Sequence, residues 1–143
     1  MNKTYVLSGY FVRFHEGHRK YIESVLDIMD STDSITIIVN NAKQQEMKYG
    51  KVIKDPIEII NEISKEFPIC SYEISQSSTR SVSADLIEMK KYYGNIVFVK
   101  DGDRNSNEIP ERFIEGIEFL DLKNPKINSS SKILKEENIL LSS

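Results

Sequence analysis

The chain of 143 residues predicts an α/β domain in which a five-stranded parallel sheet is covered by helices on both faces. Three observations predict it. Short apolar runs without polar alternation recur along the sequence, which is how strands buried on both faces read. Stretches with apolar residues at helical spacing separate them. Such strand–helix alternation assembles through right-handed crossovers into a parallel sheet.

The elements follow in order. Tyr5 to Ser8 is an extended run that ends at Gly9, and Tyr21, Ile22, Val25, Leu26 and Met29 form a helical stripe after Gly17. Ile35 to Val39 is a second, β-branched run, followed by a polar exit segment from Asn40 to Lys54. Asp55-Pro56 opens the next helix, with Ile57, Ile60 and Ile63 as its stripe; proline suits a first turn because its fixed φ and missing N–H cost nothing there. Cys70 to Ile74 is a third strand, and Val82, Leu86 and Met89 make a helix after a Ser/Thr cluster. Ile96 to Val99 closes at Lys100-Asp101-Gly102, Gly116 to Leu120 is a fifth strand, and a last helix is expected from about Ser130 to Leu140. The length suits one domain over residues 1–143.

Composition excludes several functions. Lys plus Arg is 19 against 22 for Asp plus Glu, a net charge of −3, which argues against general affinity for nucleic acid or anionic membrane. The lone Cys70 cannot form an internal disulfide, and the longest apolar runs are strand-sized rather than membrane-spanning. With no apolar signal region in MNKTYVLSGY, the expectation is a cytoplasmic protein.

Ligands of parallel sheets bind outside the carboxyl ends of the strands. The segments at those ends are Ser8 to His18, Asn40 to Lys54, Lys100 to Glu111 and Lys126 to Ser131, and they hold most of the unusual polar chemistry. Both histidines lie in Gly9-Tyr10-Phe11-Val12-Arg13-Phe14-His15-Glu16-Gly17-His18, between the first strand and the first helix. Two imidazoles around Gly17 can donate to neighbouring phosphate oxygens beside a helix N-terminus, where anions are already favoured. The same pair also reads as a helix cap plus a surface residue. Zinc lacks sufficient ligands. Lys43, past the second strand, reads as a compact charge for a triphosphate or as a solvated loop lysine. Asp103 and Arg104 follow the Gly102 turn, either facing the cleft or bracing the turn at the surface. Ser129, Ser130 and Ser131 read as an anion cradle or as an ordinary N-cap.

The pattern Gly-x-Phe-x-x-x-His-x-Gly-His after strand one resembles the signature of the cytidylyltransferase-like nucleotidyltransferases. That superfamily contains the glycerol-3-phosphate cytidylyltransferases, phosphopantetheine adenylyltransferases and heptose-phosphate adenylyltransferases. Three further blocks follow in the family's order over about residues 5 to 134: Ile37 to Gln45 with Gly50-Lys51-Val52-Ile53, Lys100 to Asn105 running into Asn107 to Glu111, and Gly116-Ile117-Glu118 with Lys126 to Ser131. The resemblance implies a Rossmann-like three-layer αβα fold of the HxGH type. It implies transfer of CMP or AMP from CTP or ATP to a phosphorylated small-molecule acceptor, with Mg²⁺ held through the nucleotide phosphates. By the same resemblance His15, His18 and Lys43 are catalytic. Gly9, Tyr10, Phe11, Gly17, Asp103, Arg104 and Ser129 to Ser131 bind the nucleotide, and the protein is expected to be a homodimer, while the charge balance already argues against nucleic acid and membrane as partners.

Some positions depart from the pattern. Val12 stands where these enzymes commonly carry Asp or Asn, Arg13 where a small or apolar residue is usual, and Ala42 where an acidic residue is common. The family's arginine in the next helix is missing around Lys54 to Glu58. These departures motivate an alternative, a nucleotide-binding regulatory or inhibitor protein with weak or no turnover. Ser75 to Ser81 reads either as an acceptor-side loop or as a helix-capping cluster. A flavodoxin-type or dinucleotide-binding domain is disfavoured, because no G-x-G-x-x-G follows strand one.

Overall fold

The computed structural model of the protein describes residues 2–79, 81–100 and 116–121. It shows an α/β, Rossmann-like arrangement. Five parallel strands form one sheet: β1 (Thr4–Gly9), β2 (Ser34–Val39), β3 (Ser71–Ile74), β4 (Ile96–Lys100) and β5 (Glu118–Asp121), in the order β3-β2-β1-β4-β5. The described helices are α1 (Glu16–Ile28), α2 (Ala42–Tyr49), α3 (Pro56–Glu66) and α4 (Ser83–Lys90). The connection between β4 and β5 and the helix expected from about Ser130 lie outside the described residues.

One element corrects the sequence reading. The polar exit segment after β2 contains α2, which hydrophobic periodicity missed because the residues it buries are Gln44 and Gln45 rather than apolar ones. Local signals specify it instead. The Asn41 side chain accepts from the Gln44 N–H while the Gln44 side chain accepts from the Asn41 N–H, both at 2.8 Å, and Gly50 ends the helix with a left-handed φ of 83°.

Strand alternation divides the core between two faces. Tyr5, Leu7, Ile35, Ile37, Val39, Val97 and Val99 point to one side, where Tyr21, Ile22 and Val25 of α1 and Ile59 and Ile63 of α3 cover them. Val6, Ile38, Ile96 and Phe98 point to the other, against Val82, Leu86 and Met89 at α4. Burying each such aliphatic or aromatic side chain is worth about 1.5–3 kcal/mol. The chain steps outward from β1 to β3 with α1 and α3 on one face, then returns past β1 to β4 with α4 on the other. That reversal makes the β1–β4 gap the topological switch point.

The two strands part there. Their ladder pairs Thr4 with Ile96, Tyr5 with Val97 and Val6 with Phe98, and ends although both strands continue. In register, the Thr4 N–H bonds to the Asn95 carbonyl, so two steps of two residues bring the Ser8 N–H opposite the Val99 carbonyl. The Tyr21 hydroxyl stands between them. It accepts from the Ser8 N–H at 3.4 Å and donates to the Val99 carbonyl at 2.5 Å, with the ring buried in the α1 face of the core. One side chain of α1 replaces a rung of the sheet and satisfies both backbone groups.

Two consequences are measurable. Tyr21→Phe keeps the ring and strands Ser8 N–H and Val99 C=O without their hydroxyl partner. It should lower unfolding free energy by about 1–3 kcal/mol in urea denaturation, and a neutral substitution would refute the wedge. The buried Cys70 thiol, just before β3, is pushed up from its ordinary value near 9 to about 11 by desolvation, against the lowering effect of its hydrogen bond with Tyr72. The unfolded thiol ionises first, so the stability this thiol contributes is present below pH 9 and is lost as pH rises towards 11. Cys70→Ala should show a shallower alkaline decline in stability than the wild type, and native Cys70 should resist alkylation at pH 8.

Candidate functional site

The turn after β1 is built around a ring that occupies the space of a missing side chain. Phe11 is 2% exposed and takes a left-handed φ of 52°, unusual for a residue with a Cβ. Its ring covers Gly9 so closely that a Cβ there would lie 2.8 Å from the ring. Glycine at position 9 and the aromatic at position 11 therefore require one another: burial of the ring offsets the backbone strain, and only glycine admits it. The Gly9 carbonyl accepts from the Asn40 N–H at 3.0 Å, which holds the exits of β1 and β2 together.

Beyond this turn, the two histidines of the protein cap α1 reciprocally. His15 is the N-cap, with its Nδ1 accepting from the Gly17 N–H at 3.0 Å, while Nδ1 of His18 accepts from the His15 N–H at 3.3 Å. Ring nitrogens thus perform the service that hydroxyls and carboxylates usually give to orphan N–H groups. The hydrogen bonds assign the tautomer: an Nδ1 that accepts carries no proton, so each neutral ring carries it on Nε2 as a donor. The rings stack with centroids 3.9 Å apart and planes 20° from parallel. Phe11 meets His18 edge-on at 4.9 Å, and Phe14 stacks on it at 5.7 Å. The cap half of that alternative holds for His15, and His18, read there as a surface residue, is a half-buried second cap; the capping leaves Nε2 of each neutral ring as its N–H donor.

Lys43 lies in the first turn of α2, so it stands on a helix rather than in a loop. It is exposed and makes no ion pair among the described residues. The position of α2 depends on amides that the sequence reading did not single out. Asn41 Nδ2 donates to the Ser75 and Ser77 carbonyls at 2.9 and 3.1 Å, and Gln44 Nε2 to the Thr79 carbonyl at 2.7 Å. Gln45 accepts from the Ile53 and Lys54 N–H groups and donates to the Lys54 carbonyl. The Asn-x-x-Gln spacing of the capping box was the available signal; burial of both glutamines had none.

The Ser/Thr segment after β3 spends its hydroxyls locally. Ser75 Oγ donates to Asp85 at 2.5 Å, Ser77 Oγ accepts from the Thr79 N–H, and Ser81 Oγ accepts from the Ser83 N–H at the start of α4. These bonds are local turns within the segment; the N-cap of α4 is Val82, and no side chain caps that helix. Tyr10 lies beside the turn with its ring edge-on to Tyr49 at 5.5 Å and Lys48 Nζ 4.4 Å above it. Its hydroxyl is buried with no hydrogen-bond partner among the described residues, an arrangement that costs roughly 1–3 kcal/mol.

Asp103, Arg104, Ser129, Ser130 and Ser131 lie outside the described residues. Gly9, Tyr10, Phe11, His15, Gly17 and His18 lie along the passage from the end of β1 to the first turn of α1, and Lys43 stands in the first turn of α2. Arg13, Lys43, Lys48 and Lys51 are exposed on the segments that follow β1 and β2, as are Glu16 and Glu46. Among the described residues no three His, Cys, Asp or Glu side chains converge as a metal cage, and no helix is long and apolar enough to cross a membrane. Comparisons with protein-family models and with curated proteins found no match.

The cap makes a prediction independent of any ligand. His15→Ala should cost about 0.5–2 kcal/mol of stability, and His15→Asn, which restores an acceptor at the N-cap, should recover most of it in thermal or urea unfolding. Equal stability of all three proteins would show that the Nδ1 contact contributes nothing.

Proposed function

We propose that the protein is a nucleotidyltransferase that moves CMP or AMP from CTP or ATP onto a phosphorylated small molecule. The observation that carries this reading is the stacked imidazole pair at the switch point, each ring held by the α1 backbone as an Nε2–H donor. Switch-point crevices and helix N-termini both favour phosphate, and exposed cations on the segments that leave β1 and β2 suit a polyanion.

In this reading an acceptor phosphate oxygen attacks the α-phosphorus in line. The new P–O bond forms as the bond to the β-phosphate oxygen breaks, and pyrophosphate leaves with the electron pair. No covalent enzyme intermediate is needed. His15 and His18 donate to the oxygens where charge develops, and because the backbone already orients them they need no rearrangement in the transition state. Lys43 adds charge from α2. Gly17 lets the backbone approach the nucleotide, while Gly9 admits the Phe11 ring that, with Tyr10, shapes the turn. Asp103, Arg104 and Ser129 to Ser131 are assigned to the nucleotide and its departing phosphates by resemblance. Mg²⁺, bound through the phosphate oxygens, supplies charge neutralisation. Homodimerisation belongs to the proposal by the same analogy.

A second reading has its own observation. Val12 packs partly buried against the core, so the position after Phe11 brings no polar group to the nucleotide. A protein that binds nucleotide without turnover fits that loss.

The deciding experiment measures pyrophosphate release from CTP, ATP, GTP and UTP with Mg²⁺ across a panel of sugar, polyol and other small phosphates, alongside nucleotide-induced shifts in melting temperature. Base-selective release that falls roughly a hundredfold to a thousandfold in His18→Ala is expected. A melting shift without release supports the binding protein, and neither signal in the folded protein defeats both readings.

A further inference from the structure

His18 does not stand alone in its stack. Phe14 lies on it with planes 19° apart, and the Arg19 guanidinium sits 4.9 Å over the Phe14 ring. With His15 stacked on His18, the order Arg19, Phe14, His18, His15 forms a column beside the mouth of α1. Two side contacts brace it: Phe11 edge-on to His18 at 72°, and Phe67, which follows α3, edge-on to Phe14 at 76°. Arg19 is anchored at its far end, where Nε and Nη2 donate to the two carboxylate oxygens of Glu66 at 2.8 and 3.1 Å. Glu66 is the last residue of α3.

An exposed ion pair contributes little stability by itself. A two-pronged guanidinium–carboxylate contact does something else: it fixes the plane of the guanidinium. A fixed plane over Phe14 restricts that ring, and the ring in turn restricts the imidazole stacked on it. The sequence distance bridged is large, because Arg19 and Glu66 belong to different crossovers of the sheet, so the histidine pair is referenced to α3 as well as to its own helix.

We propose that Phe14 and Arg19, tethered by Glu66, are positioning residues that hold His18, and through it His15, in the Nε2–H orientation. The proposal rests on the nucleotidyl-transfer reading for its effect on rate, but its structural consequence is observable without substrate. Because the protein has only two histidines, long-range ¹⁵N–¹H spectra resolve each imidazole and report which nitrogen carries the proton. At a pH where both rings are neutral, the wild type should show a single Nε2–H form for each. Phe14→Leu and Arg19→Met should convert His18 to a mixture of tautomers, while Phe14→Tyr, which keeps a stacking ring, should retain the wild-type spectrum. If nucleotidyl transfer is measurable, kcat should fall by roughly a hundredfold in Phe14→Leu with KM for the nucleotide little changed.

An unaltered His18 spectrum in either folded variant overturns the proposal, even if its melting temperature drops, since that is the behaviour of ordinary packing. Should Phe14→Leu fail to fold, Arg19→Met, at a side chain that is 33% exposed, decides by the same criterion. Absence of turnover in the wild type would count against the transferase and leave the imidazole result to judge the column.

Discussion

The arrangement turns on the hydroxyl of Tyr21. A parallel ladder that continued to the ends of β1 and β4 would close the crevice at which open α/β sheets bind their ligands. By taking the Ser8 N–H and donating to the Val99 carbonyl, Tyr21 lets the strands separate without leaving buried backbone groups unpaired. It also fixes α1 against the sheet near the helix start. A phenol suits this task because its ring belongs to the hydrophobic core while its tip can both accept and donate. The opening of the sheet and the placement of α1 are therefore one event.

That coupling carries forward to the histidines. α1 begins where Phe11 folds back over Gly9, and the helix start is capped by rings rather than by hydroxyls. Serine at position 15 would cap as well, but its accepting lone pairs and its donor O–H share one oxygen held at the helix start. Imidazole has two nitrogens on opposite edges of one ring, so the atom that satisfies the helix and the atom proposed to meet the phosphate are different. Structural and chemical roles need not compete at such a residue. Truncating the ring removes both roles at once, whereas His15→Asn keeps an N-cap acceptor and removes the Nε2 donor, which separates them.

Much of this was legible in the sequence where burial and periodicity coincide. Val6, Ile38 and Phe98 facing one way and Leu7, Ile37 and Val99 the other produce strands without polar alternation, which is the mark of a covered parallel sheet. The candidate site was sought at the strand ends, and both histidines follow one of them, the end of β1. α2 was not legible as a helix, because its buried side chains are glutamines held by carbonyls and N–H groups of the loops at residues 53–54 and 79, contacts with no periodic signature. Tyr21 read as one member of an apolar stripe, and nothing in its spacing distinguishes a hydroxyl that enters the sheet from one that reaches water. The column of Phe14 and Arg19 escaped for a similar reason: its anchor, Glu66, lies in another crossover.

Rigidity is distributed unevenly around the turn, and the distribution has a logic. His15 and His18 are held by backbone, by stacking and by a tether to α3, whereas Lys43 and Arg13 are exposed on neighbouring segments. Donors that act on developing charge gain most from being fixed beforehand, since reorganisation at the moment of reaction is what they must avoid. Charges that attract a polyanion from solution act over a longer range, and their field depends weakly on where each side chain stands. Under the proposed transfer, the braced imidazoles would meet the developing charge and the exposed ammonium and guanidinium groups would attract the nucleotide, so restraint and freedom each suit their task.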